Sequence, residues 1–255
     1  MNGAASGHGE RISLTRAIHS IHNWLGLLLG AQVLLWMASG AVMTLFAIEL
    51  VRGETHALER YPPELPAQAY ASPGGIVAQA PWATEITLKY FMGQPVYVAT
   101  GRRGSALFYA NTARQISPLK EADARAVARQ DFIGRGEIAS VRLLGEAPRE
   151  CGCEAPVWRV EFDDDLLTRI YVSPQTGAIE ARRNRIWRIY DFFWMLHIMD
   201  YSERENFNNP LVQAASVTGL LFALTGGWLV VLRLVRGKYA IRLRKQGSPE
   251  AAKGS

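Results

Sequence analysis

Cysteine is nearly missing from this 255-residue chain: Cys151 and Cys153 are the only two. Two thiols one residue apart, with no third cysteine and no neighbouring histidine, exclude a zinc centre and a multi-disulfide scaffold. They leave either a local disulfide or a pair of free thiols. Histidine is also scarce, at five. No Ser-His-Asp order, phosphate-binding glycine loop, His-Glu-x-x-His or dinucleotide fingerprint occurs. The chain therefore carries no flavin or nicotinamide site, and any redox role must use a different group.

Charge is absent from two long runs, Trp24 to Ile48 and Leu211 to Leu232. At 1.5 Å per residue each covers the roughly 30 Å hydrocarbon core of a bilayer. The small residues Ala38-Ser39-Gly40-Ala41 suit a signal-peptidase site, but the apolar run continues past them, which favours a retained anchor. The expectation is a juxtamembrane and transmembrane helix over 14–50 and a second span over 210–235. Basic residues crowd the tail 236–255, and Arg11 and Arg16 precede the first span, whereas the long central segment balances acids and bases. The positive-inside rule then predicts a bacterial inner-membrane protein. Both termini, 1–13 and 236–255, are cytoplasmic, and residues 50–209 are extracytoplasmic. The net charge of +5 belongs to the tails, so no nucleic-acid partner is expected. Neither uncharged run, 24–48 or 211–232, holds an Asp, Glu, Lys or Arg, which argues against an ion transporter.

Between the spans, a proline-rich linker at 61–73 leads into a pattern stated twice. The first copy has Ile86–Tyr90, Pro95–Val98 and Ala106–Tyr109; the second has Ile138–Leu143, Pro156–Val160 and Arg169–Val172. Short alternating runs between turn residues predict antiparallel strands. Before the second set, Ser117-Pro118 supplies an N-cap and first-turn proline, with Ala122, Ala126, Val127 and Phe132 as the apolar stripe. The corresponding part of the first copy, Gly75 to Gln79, promises a short helical turn at most. The units run 61–116, degenerate, and 117–182.

The second unit, with Val157-Trp158-Arg159-Val160 and the closing Tyr171-Val172-Ser173-Pro174-Gln175-Thr176-Gly177, resembles a PepSY domain. Ile21-His22-Asn23-Trp24-Leu25-Gly26-Leu27, and Leu196-His197 followed by Gly226-Gly227-Trp228, resemble helices of PepSY-associated transmembrane proteins. The resemblance implies an α+β membrane protein: two transmembrane helices plus an extracytoplasmic domain of two PepSY-like helix/strand units. Larger members of that family have additional spans. Some are similar to haem-containing reductases of ferric siderophores, and this implies haem b with His22, His197 and, less directly, His19 as ligands. Geometry constrains the set. His19 and His22 share one helical turn and cannot grip one iron from opposite faces. His22 and His197 belong to opposite membrane faces, so a bis-histidine site needs a second chain. The alternative for these histidines is structural, with His197 bonding Asp200 or lipid headgroups.

The aromatic stretch at 184–203 reads as an interfacial helix, its aromatics immersed and Arg182, Arg183, Arg185 and Arg188 reaching phosphates. A quinone or haem-edge site is the alternative. Ala215, Gly219, Ala223 and Gly227, with Gly26 and Gly30 in the first span, form small-residue stripes. They suit packing of the two spans, a homodimer or another membrane subunit. Gln32 is placed to bond across the helix pair. Asp163-Asp164-Asp165 lacks a calcium loop and reads as a solvated hairpin tip. Two functions follow from these readings. One is a haem-binding electron-transfer component of an envelope reductase for ferric siderophores or metals. The other is a non-enzymatic, membrane-anchored module that binds or regulates an envelope protein or protease.

Overall fold

The computed structural model describes residues 7–58, 64 and 69–246. Most of the linker read at 61–73, and the outermost residues of both tails, lie outside them. The protein is α+β, and the chain divides into two compact units: Met1–Gly40 with Trp194–Ser255, and Ala41–Phe193.

The first unit is helical. Helix α1 runs Gly7–Thr44; two short helical segments, α2 (Ile48–Val51) and a 3-10 turn (Glu54–His56), then lie at the start of the β-rich unit. Helix α5 (Arg185–Ile198) leads back, and α6 runs Pro210–Gln246. Two stretches, Asn23–Thr44 and Pro210–Trp228, are long and apolar enough to cross a membrane. Their apolar side chains face outward on most sides: Trp24 is 69 % exposed, Leu34 71 % and Leu220 61 %. The core helix of a soluble protein is mostly buried; here little of the first stretch and none of the second is.

In the second unit one plan is used twice. Helix α3 (Pro73–Gln79) precedes the antiparallel meander β1 (Glu85–Phe91), β2 (Gln94–Gly101), β3 (Gly104–Tyr109). Helix α4 (Glu121–Asp131) precedes β4 (Ile138–Leu144), β5 (Val157–Phe162), β6 (Arg169–Val172), β7 (Ile179–Arg183), again in meander order. Each helix covers one face of its sheet. Ile76 packs with Tyr97, Ala99, Ala106 and Phe108; Val127 and Ala128 pack with Val160, Phe162, Ile170 and Val172. Each fully buried side chain of this size contributes about 1.5–3 kcal/mol.

The helix starts differ from the sequence expectation. Helix α3 is longer than a single turn, because Ser72 accepts the Gly74 N–H and Pro73 presets the first helical φ. Ser117 does not cap α4. Its hydroxyl is buried and accepts the Leu107 N–H at 2.9 Å, holding the edge of β3, and α4 begins four residues later with the Lys120 N–H bonded to Asp123. The buried stripe accordingly falls on Ala124, Val127 and Ala128, leaving Ala122 exposed.

The repeat extends further than its sequence suggests. After β6, the Ser173 N–H bonds the Ala178 carbonyl and the Gly177 N–H bonds the Ser173 carbonyl, both at 2.9 Å, with Gly177 at φ +69°. After β3 the same turn recurs: the Tyr109 N–H bonds the Arg114 carbonyl, and the Ala113 N–H bonds the Tyr109 carbonyl, with Ala113 at φ +56°. The second repeat continues into β7. The first repeat forms a single bridge, Phe108 with Gln115. Gly177 is also where the two repeats of the β-rich unit touch: a Cβ there would lie 2.2 Å from the Phe91 ring.

Candidate functional site

His197 occupies the last turn of α5, and its surroundings in the helical unit are built by small and polar residues. Its Nδ1 lies 3.1 Å from Ser39 Oγ on α1. Ser39 is 1 % exposed and its hydroxyl donates to the Leu35 carbonyl at 2.6 Å. The next residue is Gly40, where a Cβ would sit 3.6 Å from His197 Cε1, so the imidazole lies close over the helix backbone. His197 therefore bonds the first long helix, not Asp200.

Asp200 has other work. Its carboxylate accepts the Ser202, Glu203, Glu205 and Asn206 N–H groups and the Ser202 hydroxyl. Those hydrogen bonds hold its carboxyl well below the usual carboxylate range. Helix α5 stops where Met199 turns left-handed at φ +56°. Asn209 then clamps both helix ends, donating to the Ile198 carbonyl at 2.8 Å and accepting the Val212 N–H at 3.0 Å. The chain around His197 is thus fixed from both sides of the turn.

His19 and His22 fall in α1, but their side chains lie outside the described ones. Seventeen residues of helix separate His22 from Ser39, a rise of about 26 Å. At that separation His22 and His197 of one chain cannot ligate a common ion. His56, in the 3-10 turn, packs edge-on against Phe132. No cluster of three or more metal-ligating side chains occurs among the described residues.

Facing the same way along α1, Leu29, Gln32, Trp36 and Ser39 sit three or four residues apart. Gln32 does not bond across the helix pair: its Nε2 and the Trp36 Nε1 are buried donors with no hydrogen-bond partner among the described residues. Of the small residues, Gly26 faces the Phe222 ring of α6, with 3.6 Å between that ring and a Cβ placed there. Gly30, Gly219 and Gly227 have nothing within 4 Å of such a Cβ. Ala215 is half-buried and Ala223 exposed.

In the β-rich unit, polar residues gather on the sheet face opposite α4. Glu150 accepts from the Tyr171 hydroxyl at 2.6 Å, from Arg169 at 2.8 Å and from Arg188 at 3.1 Å. Burial pushes the Glu150 carboxyl up, but the Tyr171 and Arg169 hydrogen bonds and the Arg188 charge outweigh it and bring it down to about 2. Arg149 holds the buried Asp191 with both arms, at 3.2 and 3.0 Å. Arg183 donates to the Glu150 and Cys151 carbonyls and stacks over Trp187. Arg182 grips Asp131. Three of the four arginines expected to reach lipid phosphates are therefore engaged inside the fold, and Arg185 alone of the four is exposed.

Cys151 and Cys153 form a disulfide, which resolves the alternative left by their spacing. The bridge lies wholly within the 145–156 loop, and Cys151 packs that loop against Val157, Tyr171 and Ala181 of the sheet. The acidic triplet lies in the β5–β6 hairpin with Asp163 and Asp165 exposed, as a solvated tip requires, but its middle residue is not solvated. Asp164 is buried, and both its oxygens accept from Thr168, at 2.7 Å each; Asp163 accepts the Glu137 N–H. These bonds shape the β5–β6 turn.

Comparison with known proteins identifies no relative: no protein-family model, curated protein or solved structure matches the chain.

Proposed function

We propose that this chain is an inner-membrane PepSY protein that holds haem b through His197 and serves as an electron-transfer component of an envelope reductase. The observation that carries the proposal is the His197–Ser39 contact. Ser39 has already given its proton to Leu35, so it accepts from Nδ1, and the lone pair is left on Nε2, the arrangement an iron-ligating imidazole needs. Haem bound there supplies a one-electron carrier in apolar surroundings that tune its potential.

The chain's own residues do the rest. Asn209 and Asp200 fix the end of α5, and Gly40 gives the ring room against α1. His197 would hold such a group from one side only. A further ligand would come from a second chain, either His197 of another copy or a residue of a partner subunit, since His22 is about 26 Å away. His22, with His19 beside it, is the corresponding candidate at the inner face, again through an oligomer. The open small-residue stripe of Ala215, Gly219, Ala223 and Gly227, with Gly30 on α1, supports close approach of that second chain. The outward-facing apolar helices support two membrane spans, and the basic tails support cytoplasmic termini. A disulfide in the β-rich unit supports an oxidising, extracytoplasmic location for it.

The test is the visible spectrum of detergent-purified protein, before and after dithionite. A Soret band with sharp reduced α and β bands, lost in His197→Ala, is expected; colourless protein from haem-replete cells overturns the reading. Alkaline phosphatase fused after Arg182 is expected to be active and after Arg236 silent, and the reverse pattern overturns the topology.

A second reading, a membrane-anchored module that binds or regulates an envelope protein or protease, is favoured by one feature. Strand β4 lies at a sheet edge and leaves Leu143 52 % exposed, a surface that an added strand from another protein suits. Specific capture of an envelope protein, abolished by Leu143→Lys, together with a colourless preparation, is the outcome that selects it.

A further inference from the structure

We infer that Ser39 is a positioning residue: it sets the tautomer and orientation of His197 and so decides which ring nitrogen is offered to iron. The inference takes its functional meaning from the haem reading above, while its geometry stands without it.

A serine hydroxyl has one proton and two lone pairs. Ser39 Oγ lies 2.6 Å from the Leu35 carbonyl oxygen and 3.1 Å from that of Trp36. Two oxygens at 2.6 Å repel unless a proton lies between them, so the hydroxyl proton is committed to Leu35. What Oγ turns toward the imidazole is a lone pair, and Nδ1, 3.1 Å away, must donate to it. The neutral ring has one proton to place. With that proton on Nδ1, Nε2 carries the lone pair.

Ser39 is buried at 1 % exposure, so water does not replace it as the acceptor. Gly40 and the clamped end of α5 restrict ring rotation about this hydrogen bond. Partners of this kind raise the basicity of a ligating imidazole and hold its plane; losing one typically weakens metal binding 10- to 100-fold. Serine at this position is therefore part of the site although it touches no iron.

The experiment uses the full chain in detergent micelles, labelled with 15N-histidine, with and without added haemin. In the haem-free protein the His197 nitrogen shifts are expected to report the Nδ1–H tautomer. Ser39→Ala is expected to convert His197 to the Nε2–H form, and Ser39→Thr, which keeps the hydroxyl, to restore Nδ1–H. On haemin titration followed at the Soret band, Ser39→Ala is expected to bind about 10- to 100-fold more weakly than wild type. It is also expected to show a more positive midpoint potential, with Ser39→Thr returning both toward wild type. An Nε2–H tautomer in wild type overturns the inference. So does a Ser39→Ala variant with unchanged haemin affinity and potential. Wild-type protein that stays colourless with haemin, while its His197 tautomer still responds to Ser39, overturns the haem reading and leaves the positioning role standing.

Discussion

Arg182 grips Asp131 through two hydrogen bonds of 2.6 Å, joining the last strand of the β-rich unit to the last turn of α4. The Asp131 side chain is 9 % exposed, so the pair is largely withdrawn from water. Removing one partner strands the other charge, whereas replacing both leaves neither unpaired. Arg182→Ala is expected to destabilise the unit by about 3 kcal/mol. The double variant Arg182→Met with Asp131→Leu should recover much of that loss. Urea unfolding followed by tryptophan fluorescence measures both; a single variant within 0.5 kcal/mol of wild type, a window of about one ordinary surface substitution, refutes the pairing.

The Glu150 carboxylate ties stability to pH. Its folded-state pKa, about 2, lies below that of an unfolded glutamate, so the folded protein binds the proton less readily than the unfolded chain. The contribution is therefore fully present above about pH 4.3 and disappears as pH falls toward about 2. It amounts to roughly 2–3 kcal/mol. Burial raises the Glu161 carboxyl, but the Ser140 hydrogen bond and the Arg159 and Arg169 charges lower it on balance, so it acts in the same direction. Glu150→Gln should flatten the stability profile over this window. An unchanged acid limb in that variant would show that the carboxylate does not set it.

The shared turn makes an asymmetric pair of predictions. At φ +69° and with Phe91 packed against it, Gly177 tolerates no side chain, so Gly177→Ala is expected to cost about 2–3 kcal/mol. Ala113 holds the equivalent position at φ +56° with a Cβ in place. Ala113→Gly should relieve up to about 1 kcal/mol. Thermal unfolding decides: loss at both positions, or gain at both, contradicts the equivalence of the two turns.

The disulfide closes a very small loop, and a short loop removes little chain entropy from the unfolded state. Its effect is local instead. Reduction is expected to raise hydrogen exchange across 145–156 several-fold while leaving α4 protected. Uniform loss of protection throughout the β-rich unit would mean that the bridge holds the whole fold.

Local periodicity makes most of the architecture legible from sequence. Seven short strands arise where alternating runs or a turn-closed hairpin call for them, and the two long helices arise where charge is absent, because patterning and hydropathy act through neighbours along the chain. Ser117 was misleading for a physical reason. A serine before a proline offers a cap, but a buried β3 edge with an unpaired N–H took it first. Arg182, Arg183 and Arg188 read as lipid-facing because their partners lie more than thirty residues away in sequence: the Asp131 carboxylate for Arg182, the Glu150 and Cys151 carbonyls for Arg183 and the Glu150 carboxylate for Arg188.

For the candidate site the division is sharper. The sequence alone determined that the chain has two apolar runs with histidines near them and that one cysteine pair is all the thiol chemistry available. Only the tertiary structure decided that His197 meets Ser39, the contact on which the proposed tautomer rests. That contact joins residues 158 positions apart. A hydrogen bond of that span depends on how two helices pack, and no pattern local to either one encodes it.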